Sequence, residues 1–208
     1  MKIVFYGDSI TDMGRHREQE IGNVFSFGQG YPFLVSASLL KPDPNAHVLI
    51  NRGIAGDRIV DLYARLKADV WNHQPDVVSI LIGVNDVWHE INWQNGVELD
   101  RFEKMYRMLI EDTKKVLPKV KFLLLEPFVL EECATTENMD KFLEVKKYAK
   151  VVKSIAEDTG AVFVPLQDRF DTLSKQHGVK PYLYDGVHPN LAGASVIADA
   201  WLEGFNKL

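Results

Sequence analysis

The chain has 208 residues, 46% of them hydrophobic and 25% charged, with a formal net charge of −5 and one cysteine. That length predicts a single domain, residues 1–208, able to bury a sizeable core. The acidic balance argues against a nucleic-acid backbone or an anionic membrane as partner, and the lone Cys133 excludes an internal disulfide and argues against a thiolate metal site. Lys2 leads straight into an apolar segment without a small-residue cleavage site. No apolar run approaches the roughly 18 residues of a membrane span. A cytoplasmic protein, suited to a reducing compartment, is the expectation.

Ile3, Val4, Phe5 and Tyr6 read as a buried strand, broken by Gly7-Asp8-Ser9. Ile10 to Gly30 has no clean period and reads as a long loop. Phe33, Leu34, Ala37 and Leu40 mark a helix over 31–40, stopped by Pro42 and Pro44. A second strand, 47–51, leads into Gly53 to Asp57. The following helix carries Ile59, Leu62, Tyr63 and Leu66 on one face, with Asp57 as its expected N-cap. The third strand, 76–82, ends in Gly83-Val84-Asn85-Asp86, and a polar, tryptophan-bearing stretch runs to Asn95. A long amphipathic helix from Phe102 to Val116 precedes a fourth strand, 120–125.

One helix from Met139 to Ala156 and a fifth strand, 161–164, follow. A short helix over 168–177 leads to Tyr184-Asp-Gly-Val-His-Pro-Asn190. The last helix turns Leu191, Ala194, Ile197, Ala198, Trp201 and Phe205 inward. Strands alternating with helices predict an α/β fold, a three-layer α/β/α sandwich on a five-stranded parallel sheet.

In such a fold the loops after successive strands gather at one edge, where ligands bind. These loops offer a serine, a glycine-rich turn, an asparagine, and an aspartate and histidine three apart. Those are the parts of a serine acyl hydrolase: a nucleophile, a base with its orienting carboxylate, and donors for an oxyanion. The four blocks are Gly7-Asp8-Ser9-Ile10-Thr11, Asn51 to Asp57, Gly83 to Asp86, and Asp185-Gly186-Val187-His188-Pro189-Asn190. In this order they resemble the SGNH hydrolases, also called GDSL esterases and lipases, whose fold is flavodoxin-like. The resemblance spans nearly the whole chain.

The resemblance implies Ser9 as nucleophile, His188 as general base and Asp185 as the residue that fixes the imidazole. It implies an oxyanion hole of the Ser9 and Gly56 backbone N–H groups and the Asn85 amide. Gly53 competes for the Gly56 role; Gly56 is preferred because its N–H lies just before the helix start, where unpaired donors collect. Asp8 and Asp86 are expected to hold their loops. The runs Gly7 to Asp12, Gly30-Tyr31 and Ile82 to Trp88 are similar to small intracellular carbohydrate esterases of the acetylxylan esterase type. That points to a small acetyl ester of a carbohydrate as substrate, no cofactor or metal, and a homo-oligomer.

Asp8, Tyr31, Trp88 and Trp93 are candidate substrate contacts, the tryptophans set against plain packing. His16, His47, His73, His89 and His177 show no ligand spacing and read as surface or loop residues. The alternatives are a short-chain acyl esterase, lysophospholipase or thioesterase with the same triad, and a non-catalytic binding member of the fold. Intact Ser9, Asp185 and His188 argue against the last.

Overall fold

Strand β1 (Lys2–Gly7) buries Ile3, Val4, Phe5 and Tyr6 completely, as expected of a strand covered on both faces. In this computed structural model, which describes residues 1–208, β1 is joined by β2 (Val48–Gly53), β3 (Val77–Leu81), β4 (Lys121–Leu125) and β5 (Val162–Val164). The five strands are parallel in the order β2-β1-β3-β4-β5. The register aligns Gly7 with Gly53 on one side and Leu81 on the other, so the three following loops leave the sheet at one level. The chain reverses direction across the sheet between β1 and β3, which opens a crevice at that point.

Two helical layers cover the sheet. On one face α2 (Tyr31–Leu40) packs on α9 (Leu191–Phe205). On the other, α3 (Ile59–Asp69), α5 (Leu99–Val116) and α7 (Val145–Thr159) lie side by side. Alternate residues of β1 serve the two faces. The Phe5 ring packs against Tyr31 and Trp201, while the Tyr6 hydroxyl donates to the Leu62 carbonyl of α3. Trp201 is fully buried and donates its indole N–H to Ser79 Oγ of β3 at 2.7 Å, so its burial leaves no unpaired donor. The expected three-layer α/β/α sandwich is the observed architecture.

Five local expectations are corrected. Ser9 opens a short helix, α1 (Ser9–Asp12), where a loop was expected from residue 10. The tryptophan-bearing stretch after Gly83 is helix α4 (Val84–Trp93). The helix expected over 139–156 is two, α6 (Met139–Phe142) and α7, separated by a tight turn with i→i+3 bonds from Glu144 N to Lys141 O and from Lys146 N to Leu143 O. Asp57 does not cap α3: Arg58 holds that position, and the Asp57 carboxylate pairs with Arg65 at 2.7 Å. Leu191, expected inward, is 75% exposed, whereas Gly193 and Ala194 of the same turn are buried. The remaining helix, α8 (Gln167–His177), forms as expected.

Candidate active site

Gly7 ends β1 with no side chain because a Cβ there would run into the Leu81 carbonyl and lie 2.5 Å from Thr11 Oγ1. That close approach lets α1 fold back against the sheet. Asp8 caps it, its Oδ1 accepting from Ile10 N at 2.9 Å. Ser9 is therefore the first helical residue, with its own N–H among the unpaired donors of a helix start.

Asp185 and His188 come from a turn closed by the Leu183–Pro189 bridge and by Tyr184 N donating to His188 O. Gly186 takes a positive φ of 97° there, packed where a Cβ would strike the Leu130 carbonyl and Thr135. Asp185 Oδ1 accepts from the N–H groups of Val187 and His188 at 3.0 and 2.7 Å. Its Oδ2 lies 2.6 Å from His188 Nδ1, and His188 Nε2 lies 2.8 Å from Ser9 Oγ. With the Nδ1 proton on the Asp185 side, Nε2 is the acceptor for the serine hydroxyl.

The charges support that arrangement. Burial disfavours the Asp185 carboxylate, but hydrogen bonds from the His188 ring and from two backbone amides outweigh it, and its pKa falls below the ordinary value. Burial also works against the charged imidazole, yet the hydrogen bond and charge of Asp185, with Asp8 behind, raise the His188 pKa. A serine–imidazole–carboxylate line of this kind can pass a proton from the hydroxyl to Nε2 and hold the resulting imidazolium.

The loops after β2 and β3 are tied to one another. Gly56 has a φ of 87°, and a Cβ there would meet nothing. Asn85 Nδ2 donates to Asp57 O at 3.0 Å, leaving one amide hydrogen for another acceptor. Asp86 Oδ1 accepts from Ile59 N at 3.0 Å and so fastens the start of α3 to the loop after β3. Asp8 and Asp86 are both about 1% exposed, and each has one carboxylate oxygen without a partner. Burial pushes their pKa values up to about 7 and about 8.

Ser9 and His188 open into a cavity of about 660 Å³ whose apolar lining is Met13, Ala55 and Tyr184, with Arg15, His16 and Arg17 opposite. A second cavity, of about 800 Å³, lies between α4 and α6–α7 beside Glu90, Glu98, Asp140 and Glu144, and contains neither Ser9 nor His188. No group of three His, Cys, Asp or Glu side chains is placed to hold a metal ion.

Residues 5–196 match the GDSL-like lipase/acylhydrolase family. The chain belongs to that family. Its relatives include an acetylxylan esterase of Geobacillus stearothermophilus, 36% identical over 206 residues that make up 97% of this chain and 92% of the relative. Among solved structures it is similar to a GDSL-like lipase of Parabacteroides merdae, at a TM-score of 0.94 and 35% identity over 99% of this chain and 95% of that one. The Geobacillus acetylxylan esterase Axe2 superposes at 0.87, with 36% identity over 98% and 93% of the two chains.

Within this GDSL-family chain, the four candidate substrate contacts divide. Trp88 stands beside the imidazole, its ring 5.9 Å from that of His188, and packs edge-on against Phe142. Tyr31 is fully buried, its hydroxyl 3.2 Å from Thr11 Oγ1, so it is a core residue and cannot touch substrate. Asp8 is likewise enclosed as the α1 cap. Trp93 is 65% exposed against His89 and lies outside the lining of the Ser9 cavity.

Sequence reasoning passed over Tyr184, whose ring stacks on His188 at 5.7 Å and 16°, although it directly precedes Asp185. It also missed Asp12, Arg15 and Arg17, and set His16 aside. Asp12 sits in the first block, but nothing in the mixed charges of residues 15–20 marked the arginines.

Proposed function

We propose that this GDSL-family chain is a serine esterase that removes acetyl groups from carbohydrates such as acetylated xylo-oligosaccharides, with Ser9, His188 and Asp185 as its catalytic triad. The observation that carries the proposal is the unbroken hydrogen-bond line from Ser9 Oγ through the imidazole to Asp185. Ser9 Oγ attacks the ester carbonyl while His188 Nε2 takes its proton, and Asp185 stabilises the imidazolium. The carbonyl oxygen, now negative, receives the N–H groups of Ser9 and Gly56 and the free Asn85 amide hydrogen. Collapse of the tetrahedral intermediate breaks the bond to the sugar oxygen, which leaves with the His188 proton. Water then attacks acetyl-Ser9 by the same steps, releasing acetate and restoring the serine.

The acetyl preference is supported by the cavity. Beyond Met13, Ala55 and Tyr184 its walls are polar or charged, so a long acyl chain would gain little of the roughly 0.8 kcal/mol per buried methylene that an apolar tunnel gives. The kinship with an acetylxylan esterase points the same way.

Hydrolysis of p-nitrophenyl acetate, butyrate and octanoate, beside acetylated xylo-oligosaccharides, tests both levels. Acetate is expected to exceed octanoate, and Ser9→Ala is expected to lower kcat by about 10⁴ or more while its circular dichroism stays native. Turnover retained in folded Ser9→Ala would remove the nucleophile assignment. Preference for octanoate would keep the triad and move the substrate to lipid esters.

A further inference from the structure

The molecule is acidic overall, yet the cavity in front of Ser9 is not. Two guanidinium groups, Arg15 and Arg17, line it against one carboxylate, Asp12. Arg15 is nearly buried and is spent on the fold, its Nε donating to the Gly53 carbonyl at 2.7 Å. Arg17 differs: its side chain is 51% exposed, and a single nitrogen, Nη2, pairs with Asp12 Oδ2 at 2.7 Å. Asp12 is itself 6% exposed and also accepts from Arg15 N and Ala55 N. Asp12 thus anchors the guanidinium at one corner, beside Ala55, and Arg17 lines the cavity with its other donors free of protein partners. A guanidinium held in this way offers a planar donor edge suited to a carboxylate.

We propose that Arg17 is a specificity-determining residue that binds a carboxylate carried by the alcohol part of the substrate, so that the preferred ester is an acetylated oligosaccharide bearing a uronic acid. The inference rests on the esterase reading above. Ser9 and Arg17 share one cavity of about 660 Å³, so the carboxylate sits on the acetylated sugar or its immediate neighbour. Tyr184, 44% exposed and stacked on His188, lines the same cavity and supplies a flat face for the sugar.

The test compares an acetylated xylo-oligosaccharide carrying a uronic acid branch with the same compound methyl-esterified at the uronate, following acetate release. The leaving group is then the same and only the charge differs. Wild-type enzyme is expected to show a lower KM for the charged substrate, and the preference should shrink as salt is raised to about 0.5 M. Arg17→Gln is expected to lower kcat/KM about tenfold more for the charged than for the neutral substrate, mainly through KM, and Arg17→Lys to recover part of the difference. Equal losses on both substrates would make Arg17 a strut for Asp12 and overturn the proposal. Equal wild-type rates on the two, dependent on Ser9, would overturn it and leave the esterase reading standing. Hydrolysis of neither, with p-nitrophenyl acetate still cleaved, would remove the sugar reading and this inference with it.

Discussion

In the proposed mechanism His188 acts as a base only while Nε2 is unprotonated. Burial alone would lower its pKa, but the hydrogen bond and charge of Asp185 raise it above the ordinary value of about 6.5. The rate is therefore expected to fall as pH drops through a value above about 6.5, and Asp185→Asn to move that limb to lower pH while cutting kcat steeply. A flat rate profile between about pH 5 and about pH 8 would contradict a histidine base. Asn85 makes a separate prediction. Its amide ties to Asp57 O and, in the proposed mechanism, gives its other hydrogen to the oxyanion, so Asn85→Ala is expected to lower kcat by about 10²–10³ with little change in KM. The meeting of Ser9, Asp185 and His188 was legible in the sequence because each sits in a short polar block with glycine after a strand or in a turn. Tyr31 and Arg17 were misjudged or missed for one reason: whether a side chain faces a cavity depends on neighbours distant in sequence.

The elements that carry these residues depend on bare backbone at the strand ends. A Cβ on Gly53 would overlap the backbone of Thr11 and Asp12, the last residues of α1. Gly53→Ala is expected to cost about 2–3 kcal/mol in urea unfolding and to raise KM or lower kcat, since α1 must shift and Ser9 with it. An unchanged denaturation midpoint would mean that α1 yields freely. The strands were legible as apolar runs, and the long helices as 3.6-residue stripes. Helix α4 was hidden because its stripe of Val84, Val87, Trp88 and Ile91 is short and interleaved with Asn85, Asp86, His89 and Glu90, two of which serve the neighbouring loops. The turn between α6 and α7 was hidden because Leu143 and Glu144 carry no breaker signal, and both have helical backbone angles.

At the scale of the whole molecule, two protons held inside the fold set its response to alkali. Asp8 and Asp86 have folded pKa values near about 7 and about 8, against about 3.9 in an unfolded chain. Between those limits the folded state holds protons that the unfolded state has released, so the contribution of these two groups to stability is fully present below about pH 4 and is lost as pH rises through about 8. Asp86→Asn keeps an oxygen for Ile59 N and cannot ionise. It is expected to flatten the plot of Tm against pH and to raise Tm above wild type at about pH 8.5. Superimposable curves would show that Asp86 is already ionised in the fold. Finally, Ser9 and His188 stand 179 positions apart along the chain and 2.8 Å apart in space. The proposed hydrolysis therefore starts only after a loop spanning most of the polypeptide has closed. During refolding, ester turnover is expected to read the closure of that loop, while circular dichroism reads helix formation. The lag between the two traces is the time the two ends of the chain take to meet once helices have formed.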